Sequence, residues 1–243
     1  SFCGSRQRIA LADDTHAAML AFAARNGASP FMVMLAAWNL LLHRWCGQDD
    51  IIVGVPVAGR QHPQLERMLG VFVNTLPLRT RLAGADGFES LLQRVRQTVI
   101  HGLANQDYPF ESLVGEIAIE RDLSRQPLFD TSFAWQTSAQ KTVPASADAA
   151  VQVENFDFAF DRSKFDLAIT VAHDDAATRI ELEFNTDLFD RGTIVRMLES
   201  LRTLLTAALA EPSRTLGVLP VMDAASEHEV LHTLGGARSR FDD

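Results

Sequence analysis

Apolar residues recur at helical spacing in four long stretches of the chain. The first stretch starts at Asp13 and Asp14, which can cap a helix, and Gly27 can end it. The second is apolar on almost every side, so the helix that it predicts should be deeply buried. The predicted helices cover residues 13–26, 29–47, 88–103 and 190–210, and a shorter one begins near residue 109.

Shorter apolar runs between these helices have the length and composition of strands. The continuous run from Ile51 to Val57 predicts an internal strand, and the alternating run from Gly70 to Leu82 predicts another, bent at Pro77. Further strands are predicted at residues 128–136, 165–172 and 180–184, with a hairpin turn at 174–176 and a flexible loop at 137–150. Together these elements predict the α/β class, a mixed β-sheet packed against helices in one domain.

Composition and charge narrow the classes of function. The 243 residues carry a formal net charge of -9, which argues against binding to a nucleic-acid backbone, since that requires clustered lysine and arginine. The longest apolar stretch, Phe31 to Leu42, is too short to span a bilayer, so no membrane anchor is expected. Cys3 and Cys46 are too few for a disulfide framework. We expect Cys46 to be a buried thiol and the protein to be cytoplasmic.

Three clusters of polar, glycine and proline residues lie where predicted elements end. In the first, Gly70 to Thr75, strand alternation places Asn74 among apolar neighbours. A buried amide without partners costs about 1–3 kcal/mol, so Asn74 either bonds a neighbouring turn or points into a cleft. The second cluster, Asn105 to Glu111, joins two helices and is typical of a capped turn. The third, Arg121 to Phe129, is a charged loop that leads into a strand.

In their order and in their residues, the three clusters resemble successive core motifs of nonribosomal peptide synthetase condensation domains. Those motifs have the patterns G-x-F-V-N-T-x-x-x-R, [HN]-Q-D-Y-P-F-E and R-D-x-S-R-x-P-L-F. They match Gly70–Arg79, Asn105–Glu111 and Arg121–Phe129. The segments at residues 47–57 and 186–190 are similar to the family as well. The resemblance runs from about residue 6 to residue 231, which is nearly the whole chain.

The resemblance implies a chloramphenicol acetyltransferase-like fold of two lobes with a tunnel between them. Donor and acceptor peptidyl carrier proteins would bring substrates on phosphopantetheine arms, and the acceptor amine would attack the donor thioester to form an amide. Binding both arms in one tunnel would orient the two reactants. The chain itself would bind no cofactor. Its other partners would be the N-terminal lobe and a neighbouring adenylation domain, with neither nucleic acid nor membrane among them.

The chain departs from the family in its histidines. The family's catalytic motif is H-H-x-x-x-D-G, whereas none of the seven histidines here stands next to another. The chain also begins with Ser1 instead of methionine. We therefore expect only the C-terminal lobe, residues 1–220, followed by a linker, residues 221–243, toward an adenylation domain. Such a fragment should contain no catalytic residue and should be inactive alone.

The resemblance also assigns roles to single residues. Asn74 would face the reaction centre from the substrate tunnel, with Phe72 and Thr75 beside it. Arg6 or Arg8 would hold the catalytic aspartate of the other lobe. The remaining motif residues would contribute to the contact between lobes or to local structure, and these are Gln106, Asp107, Arg121, Asp122 and Arg125.

Several alternatives remain open at the level of sequence. An epimerisation or heterocyclisation domain would also belong to the family, although Val73-Asn74-Thr75 favours ordinary condensation. Outside catalysis, a docking module that only binds carrier or partner proteins would fit. The segment from His228 to His232 matches the zinc-protease pattern H-E-x-x-H, but it lies in the polar tail without an obvious third ligand. No metal site is therefore predicted.

Overall fold

Six strands and six helices follow one another in the computed structural model, which describes residues 3–117, 125–137, 161–173 and 177–231. The strands are β1 (Gly4–Ala10), β2 (Asp50–Val57), β3 (Asn74–Arg81), β4 (Thr131–Thr137), β5 (Leu167–His173) and β6 (Thr178–Asn185). The helices are α1 (Asp13–Arg25), α2 (Pro30–Cys46), α3 (Phe88–Ala104), α4 (Phe110–Glu116), α5 (Arg191–Ala210) and α6 (Ala224–Glu229). One-turn 3-10 helices lie at Pro63–Leu65 and Leu216–Val218.

The strands form one mixed sheet in the order β1-β6-β5-β4-β2-β3. Strand β4 runs parallel to both β2 and β5, and the other neighbouring strands are antiparallel. Strands β1 and β3 are therefore the two edges of the sheet. Pro77 lies in β3 opposite Gly54. An edge strand tolerates proline, which has no backbone N–H to give to a further strand.

One face of the sheet is apolar and buried against helices. Alternate residues of each strand point to this face, so Leu78 stands beside Val53, and Ile169 stands between Phe133 and Leu182. The opposite face is mostly half-exposed and carries small and charged residues. Examples are Ser132, Ala168, Thr170, Glu181 and Glu183.

Helix α2 forms the centre of the helical layer. It contacts α1, α3, α5 and β2, and every residue from Val33 to Leu41 is buried. At its start, the side chain of Ser29 accepts a hydrogen bond from the N–H of Met32, and Gly47 ends it with a φ of 69°. The start, the end and the depth of burial of this helix confirm the sequence prediction.

The strand expected from Gly70 begins four residues later, at Asn74. Gly70 has a φ of 151°, which breaks the extended path of the chain before β3 starts. Val71 and Val73 are exposed in the loop that results, so they do not share a strand face with Thr75. The prediction was wrong here because the alternating apolar pattern belongs to a loop.

Two further details differ from the prediction. Ala12 is the N-cap residue of α1, and Asp13 and Asp14 lie in its first turn, where their charges still favour the helix dipole. Cys46 is exposed instead of buried. It is the last residue of α2, and that final turn projects beyond the buried part of the helix, which also leaves Trp45 39% exposed.

Two predicted connections fall largely outside the described residues. These are the loop at 137–150, of which Thr137 alone is described, and the hairpin turn at 174–176. The two strands that border the turn pair antiparallel, from Leu167 opposite Phe184 to His173 opposite Thr178. In the described part of the chain, no helix is both long and apolar enough to cross a membrane.

Candidate functional site

The side-chain amide of Asn74 connects the first motif to the second. Its Nδ2 donates hydrogen bonds to the carbonyl oxygens of Gln106 and Tyr108, both at 2.8 Å. Its Oδ1 accepts hydrogen bonds from the N–H of Thr75 at 2.9 Å and from that of Phe110 at 3.1 Å. Both hydrogens and both lone pairs of the amide are thus used within the chain. Of the two possibilities open from the sequence, this geometry is that of an amide bonded to a neighbouring turn.

The turn between α3 and α4 is held from a second side as well. Nε2 of Gln61, in the loop after β2, donates to Oδ1 of Asp107 at 2.6 Å. The hydroxyl of Tyr108 donates to Oε1 of Glu116 at 2.6 Å, and this hydrogen bond to a carboxylate raises the pKa of Tyr108. The loop after β2 and the start of β3 therefore hold the second motif between them.

Aromatic rings connect the second motif to the third. The ring of Phe110 lies 5.5 Å from that of Phe129, which lies 6.0 Å from that of Phe165. Phe129 packs so closely on Gly54 of β2 that a Cβ at Gly54 would stand 2.2 Å from the ring. Leu128, immediately before the buried Phe129, has a φ of 73°, which is a strained conformation for a residue with a side chain. The third motif is thus packed against both β2 and the second motif.

A guanidinium and two carboxylates lie at the starts of β4 and β5. Arg125 bonds Asp130 through Nε, at 3.0 Å, and through Nη2. Burial, followed by the negative charge of Asp130, raises the pKa of Asp166, and Arg125 acts in the opposite direction. Arg125 is therefore anchored beside β4. Arg121 and Asp122, the other charged residues predicted in this motif, lie outside the described residues.

Between β2 and β3, the chain forms a loop whose apolar side chains are exposed. Within residues 65–73, which we call the apolar loop, Leu69 is 101% and Val71 is 93% exposed. Phe72 is half-buried under the guanidinium of Arg60, whose carbon lies 4.3 Å from the ring centroid. The apolar loop includes residues 70–73, the start of the first motif, and leads directly into Asn74.

Arg6 and Arg8 lie at the opposite edge of the sheet, on β1. Arg6 donates to Oε2 of Glu183 at 2.8 and 3.0 Å, and Arg8 donates to Oε2 of Glu181 at 2.5 Å. Five strand spacings, roughly 24 Å, separate this edge from β3. These ion pairs border a groove of about 710 Å³ on the half-exposed face of the sheet, where Thr170 also lies.

The structure brings most of the predicted site residues together and leaves two apart. Segments that meet at the start of β3 carry Phe72, Asn74, Thr75, Gln106 and Asp107. Arg125 lies beside β4, in the third motif, which packs on the second through Phe129 and Phe110. Arg6 and Arg8 are separate from this cluster, and both bond carboxylates of β6. The roles assigned to these residues in a substrate tunnel or a contact between lobes stay predictions.

Arg60 and Gln61 help to organise the cluster, although no motif in the sequence predicted a role for them. Both come directly after Gly59, where the apolar run of β2 ends abruptly. That abrupt end was the one sequence signal that could have indicated a role for them. Their partners are a set of carbonyl oxygens and the carboxylate of Asp107, respectively.

The described residues contain no group of three His, Cys, Asp or Glu side chains that could hold a metal ion. Of the H-E-x-x-H pattern, His228 lies in α6. The side chain of Glu229 and all of His232 lie outside the described positions. The expectation that this pattern binds no metal stays a prediction.

The fold is similar to those of solved condensation domains. Holo-AB3403, a four-domain nonribosomal peptide synthetase bound to AMP and glycine, matches with a TM-score of 0.84 at 20% identity, over 92% of this chain and 18% of that chain. The condensation domain of the Monacolin K polyketide synthase MokA gives a TM-score of 0.77 at 18% identity, over 88% of this chain and 48% of that one. The class is therefore the chloramphenicol acetyltransferase-like α/β fold that the sequence predicts.

Sequence relatives identify the family within that class. Surfactin synthase subunit 1 of Bacillus subtilis (strain 168) is 40% identical over 230 residues, 93% of this chain and 6% of that relative. Tyrocidine synthase 3 of Brevibacillus parabrevis is 37% identical over 231 residues, 95% of this chain and 4% of that relative. The model of the condensation-domain family matches residues 1–231. The chain belongs to the condensation-domain family, and it spans only a small part of the length of the curated relatives that it matches.

Proposed function

We propose that this chain is the C-terminal lobe of a condensation domain that forms a peptide bond within a nonribosomal peptide synthetase. The proposal rests on how much of each chain is covered when this chain is compared with solved condensation-domain chains. Solved condensation-domain chains match 88–90% of this chain, whereas this chain covers 47–48% of theirs. The 243 residues contain no two adjacent histidines, so the family's H-H-x-x-x-D-G motif would belong to the other half.

The exposed apolar loop supports the same assignment. Large apolar side chains that stand together in solvent usually mark a surface that another protein part covers. Leu69 and Val71, which lie just before and within the first motif, are almost fully exposed. An N-terminal lobe that packs on this side would cover them and would bring its histidines close to Asn74, at the start of β3.

In the proposed reaction, two carrier proteins present their phosphopantetheine-bound substrates in a tunnel between the lobes. The acceptor amine attacks the carbonyl carbon of the donor thioester and gives up a proton. A C–N bond forms, the C–S bond breaks, and the donor arm leaves as a thiol. This chain would supply one tunnel wall through Phe72, Asn74 and Thr75, which helps to orient the two reactants.

The proposal includes the domain boundaries and the location of the protein. Residues 1–220 would form the lobe, and residues 221–243 would link it to an adenylation domain in a cytoplasmic synthetase. Helix α6 fits a short linker helix, since it has six residues and is capped by Asp223, which accepts a hydrogen bond from the N–H of Ser226 at 2.8 Å.

Amide formation between a donor-loaded and an acceptor-loaded carrier protein tests the proposal, with the product on the acceptor carrier detected by mass spectrometry. The reactions contain this chain alone, the chain co-expressed with the upstream half of its parent, or the intact condensation domain. We expect product in the second and third reactions but not in the first. Asn74→Ala should lower the rate about tenfold or more, because it releases the turn that shapes the tunnel wall.

Asn26→Ala is the matched control for the Asn74 substitution. The side chain of Asn26 also bonds a carbonyl oxygen, that of Phe22 at 3.0 Å, but at the end of α1. This variant should keep the wild-type rate. Product from the chain alone would contradict the proposal. If the co-expressed halves and the intact domain both bind the carriers but form no amide, the docking-module alternative replaces it.

A further inference from the structure

The apolar loop makes several backbone contacts although its apolar side chains are in contact with solvent. Leu69 and Val71 are almost fully exposed, and Met68 and Val73 are 51% and 62% exposed. A loop with such residues usually gains order by packing them against the rest of the protein. In this loop the backbone carbonyl groups make the stabilising contacts instead.

One guanidinium provides these contacts. Nη1 of Arg60 donates to the carbonyl oxygens of Leu65 and Met68, the latter at 2.9 Å, and Nη2 donates to that of Gly70 at 3.2 Å. The same guanidinium lies over the ring of Phe72. A planar fork with five N–H donors can bond several carbonyl oxygens and cover a ring at once, which a lysine ammonium group cannot do.

The residue before Arg60 brings the two sides of the loop close together. Gly59 has a φ of 63°, and a Cβ at this position would lie 1.9 Å from the carbonyl oxygen of Phe72. Both the backbone conformation and the available space therefore require glycine here. The short segment Gly59-Arg60 thus contacts the loop at its far end and along its length.

We propose that Arg60 is a positioning residue that fixes the apolar loop in one conformation and so presents Leu69 and Val71 for docking. The occupant is the N-terminal half of the condensation domain, and this part rests on the function proposed above. Two observations favour this occupant. The chain covers only 48% of a solved condensation-domain chain, and the loop leads directly into Asn74, where the first and second motifs meet. A loop that is already ordered binds without the entropy cost of ordering it.

Limited proteolysis tests the positioning role without reference to the partner. Arg67 is exposed within the apolar loop, so trypsin cuts after it when the loop opens. We expect Arg60→Lys to speed this cut about tenfold or more, because lysine keeps the charge but loses the fork. Phe72→Leu should speed the same cut, and Phe72→Tyr, which keeps the ring, should leave it near the wild-type rate.

Arg44→Lys is the matched control. Nη1 of Arg44 also donates to two carbonyl oxygens, those of Leu216 and Leu219, both at 2.8 Å, in a different part of the fold. This variant should leave cleavage after Arg67 unchanged. Equal acceleration in the two lysine variants, or none in Arg60→Lys, would overturn the positioning role.

Co-purification with the tagged upstream half, co-expressed with the chain, tests docking. Arg60→Lys should lower the retained amount about fivefold to tenfold, and Leu69→Asp with Val71→Asp should remove it. Retention of Arg60→Lys at the wild-type level would overturn the docking role. Failure of the wild-type chain to be retained would overturn the proposed function itself, and cleavage after Arg67 would still decide the positioning role.

Discussion

The amide of Asn74 shows how one side chain can determine the shape of a distant turn. All four of its hydrogen bonds are made, and three of them go to the backbone between Gln106 and Phe110. Asparagine suits this position because it offers two donors and two acceptors at the same end of a short side chain. Aspartate would keep the acceptors but would turn a negative charge toward the carbonyl oxygens of Gln106 and Tyr108.

Asn74→Ala should lower the free energy of unfolding by about 1 kcal/mol or more, because partly buried backbone groups lose their partner. Asn74→Asp should be at least as destabilising. Urea unfolding followed by circular dichroism measures both, and Asn26→Ala, which loses one bond at a helix end, should change stability by about 0.5 kcal/mol or less. A loss for Asn74→Ala no larger than that of the control would mean that water replaces the amide.

Motif residues could be found from the sequence, but their partners could not. Asn74 bonds backbone atoms 32 to 36 residues away, and no local pattern reveals such a pairing. Arg60 bonds carbonyl oxygens, which every residue has and which leave no signal in the sequence of side chains. Arg6 and Glu183 are 177 residues apart, so their ion pair could be expected only once β1 and β6 are known to be neighbours.

Strands β2 and β3 are joined at one end by a cross-strand ion pair. Asp50, the first residue of β2, accepts hydrogen bonds from Nε and Nη2 of Arg79 at 2.8 and 2.6 Å, and from Nε of Arg81 at 3.3 Å. The hydrogen bond from Arg79 is the largest cause, and together these contacts lower the pKa of Asp50 from 3.8 to about 2. Cross-strand pairs of opposite charge stabilise a sheet, and they matter for an edge strand such as β3.

Asp50→Asn should destabilise the protein near neutral pH but not in strong acid. Folding lowers the pKa of Asp50, so its contribution is complete above about pH 4 and is lost as the pH falls toward about 2. The difference between the urea midpoints of wild type and variant should therefore narrow steadily across that interval. A difference that stays constant from neutral pH down to the lower limit would contradict the ion pair.

Helices were more predictable than strands because their signals are local. The ends of α2 follow from Ser29 and Gly47, which act within a few residues of the helix. Strand β1 has no such signal, since its Arg6 and Arg8 lie on the half-exposed face of the sheet and its other face is only partly buried. It is a strand because β6 lies beside it, and strand formation depends on such partners more than on propensity.

As a whole, the molecule combines a negative net charge with the exposed side chains of the apolar loop. The net charge of -9 keeps copies apart, whereas the exposed Leu69 and Val71 favour contact between them.

We expect the isolated chain to self-associate more strongly as salt is added, because salt screens the repulsion and leaves the apolar contact. Sedimentation velocity measures this association, and Leu69→Asp with Val71→Asp should keep the chain monomeric. Val218→Asp, at a site that is 59% exposed elsewhere, is the control. Association that survives the paired substitution would place the contact on another surface.

The pairing of β1 with β6 has a consequence for how the chain is made. Ile9 stands opposite Ile180, so one edge of the sheet pairs two segments that the ribosome synthesises at very different times. At 5–20 residues per second, β1 waits roughly 10–30 s for its neighbour to be synthesised. A nascent chain that stops before β6 would leave the edge of β5 open to strands of other molecules.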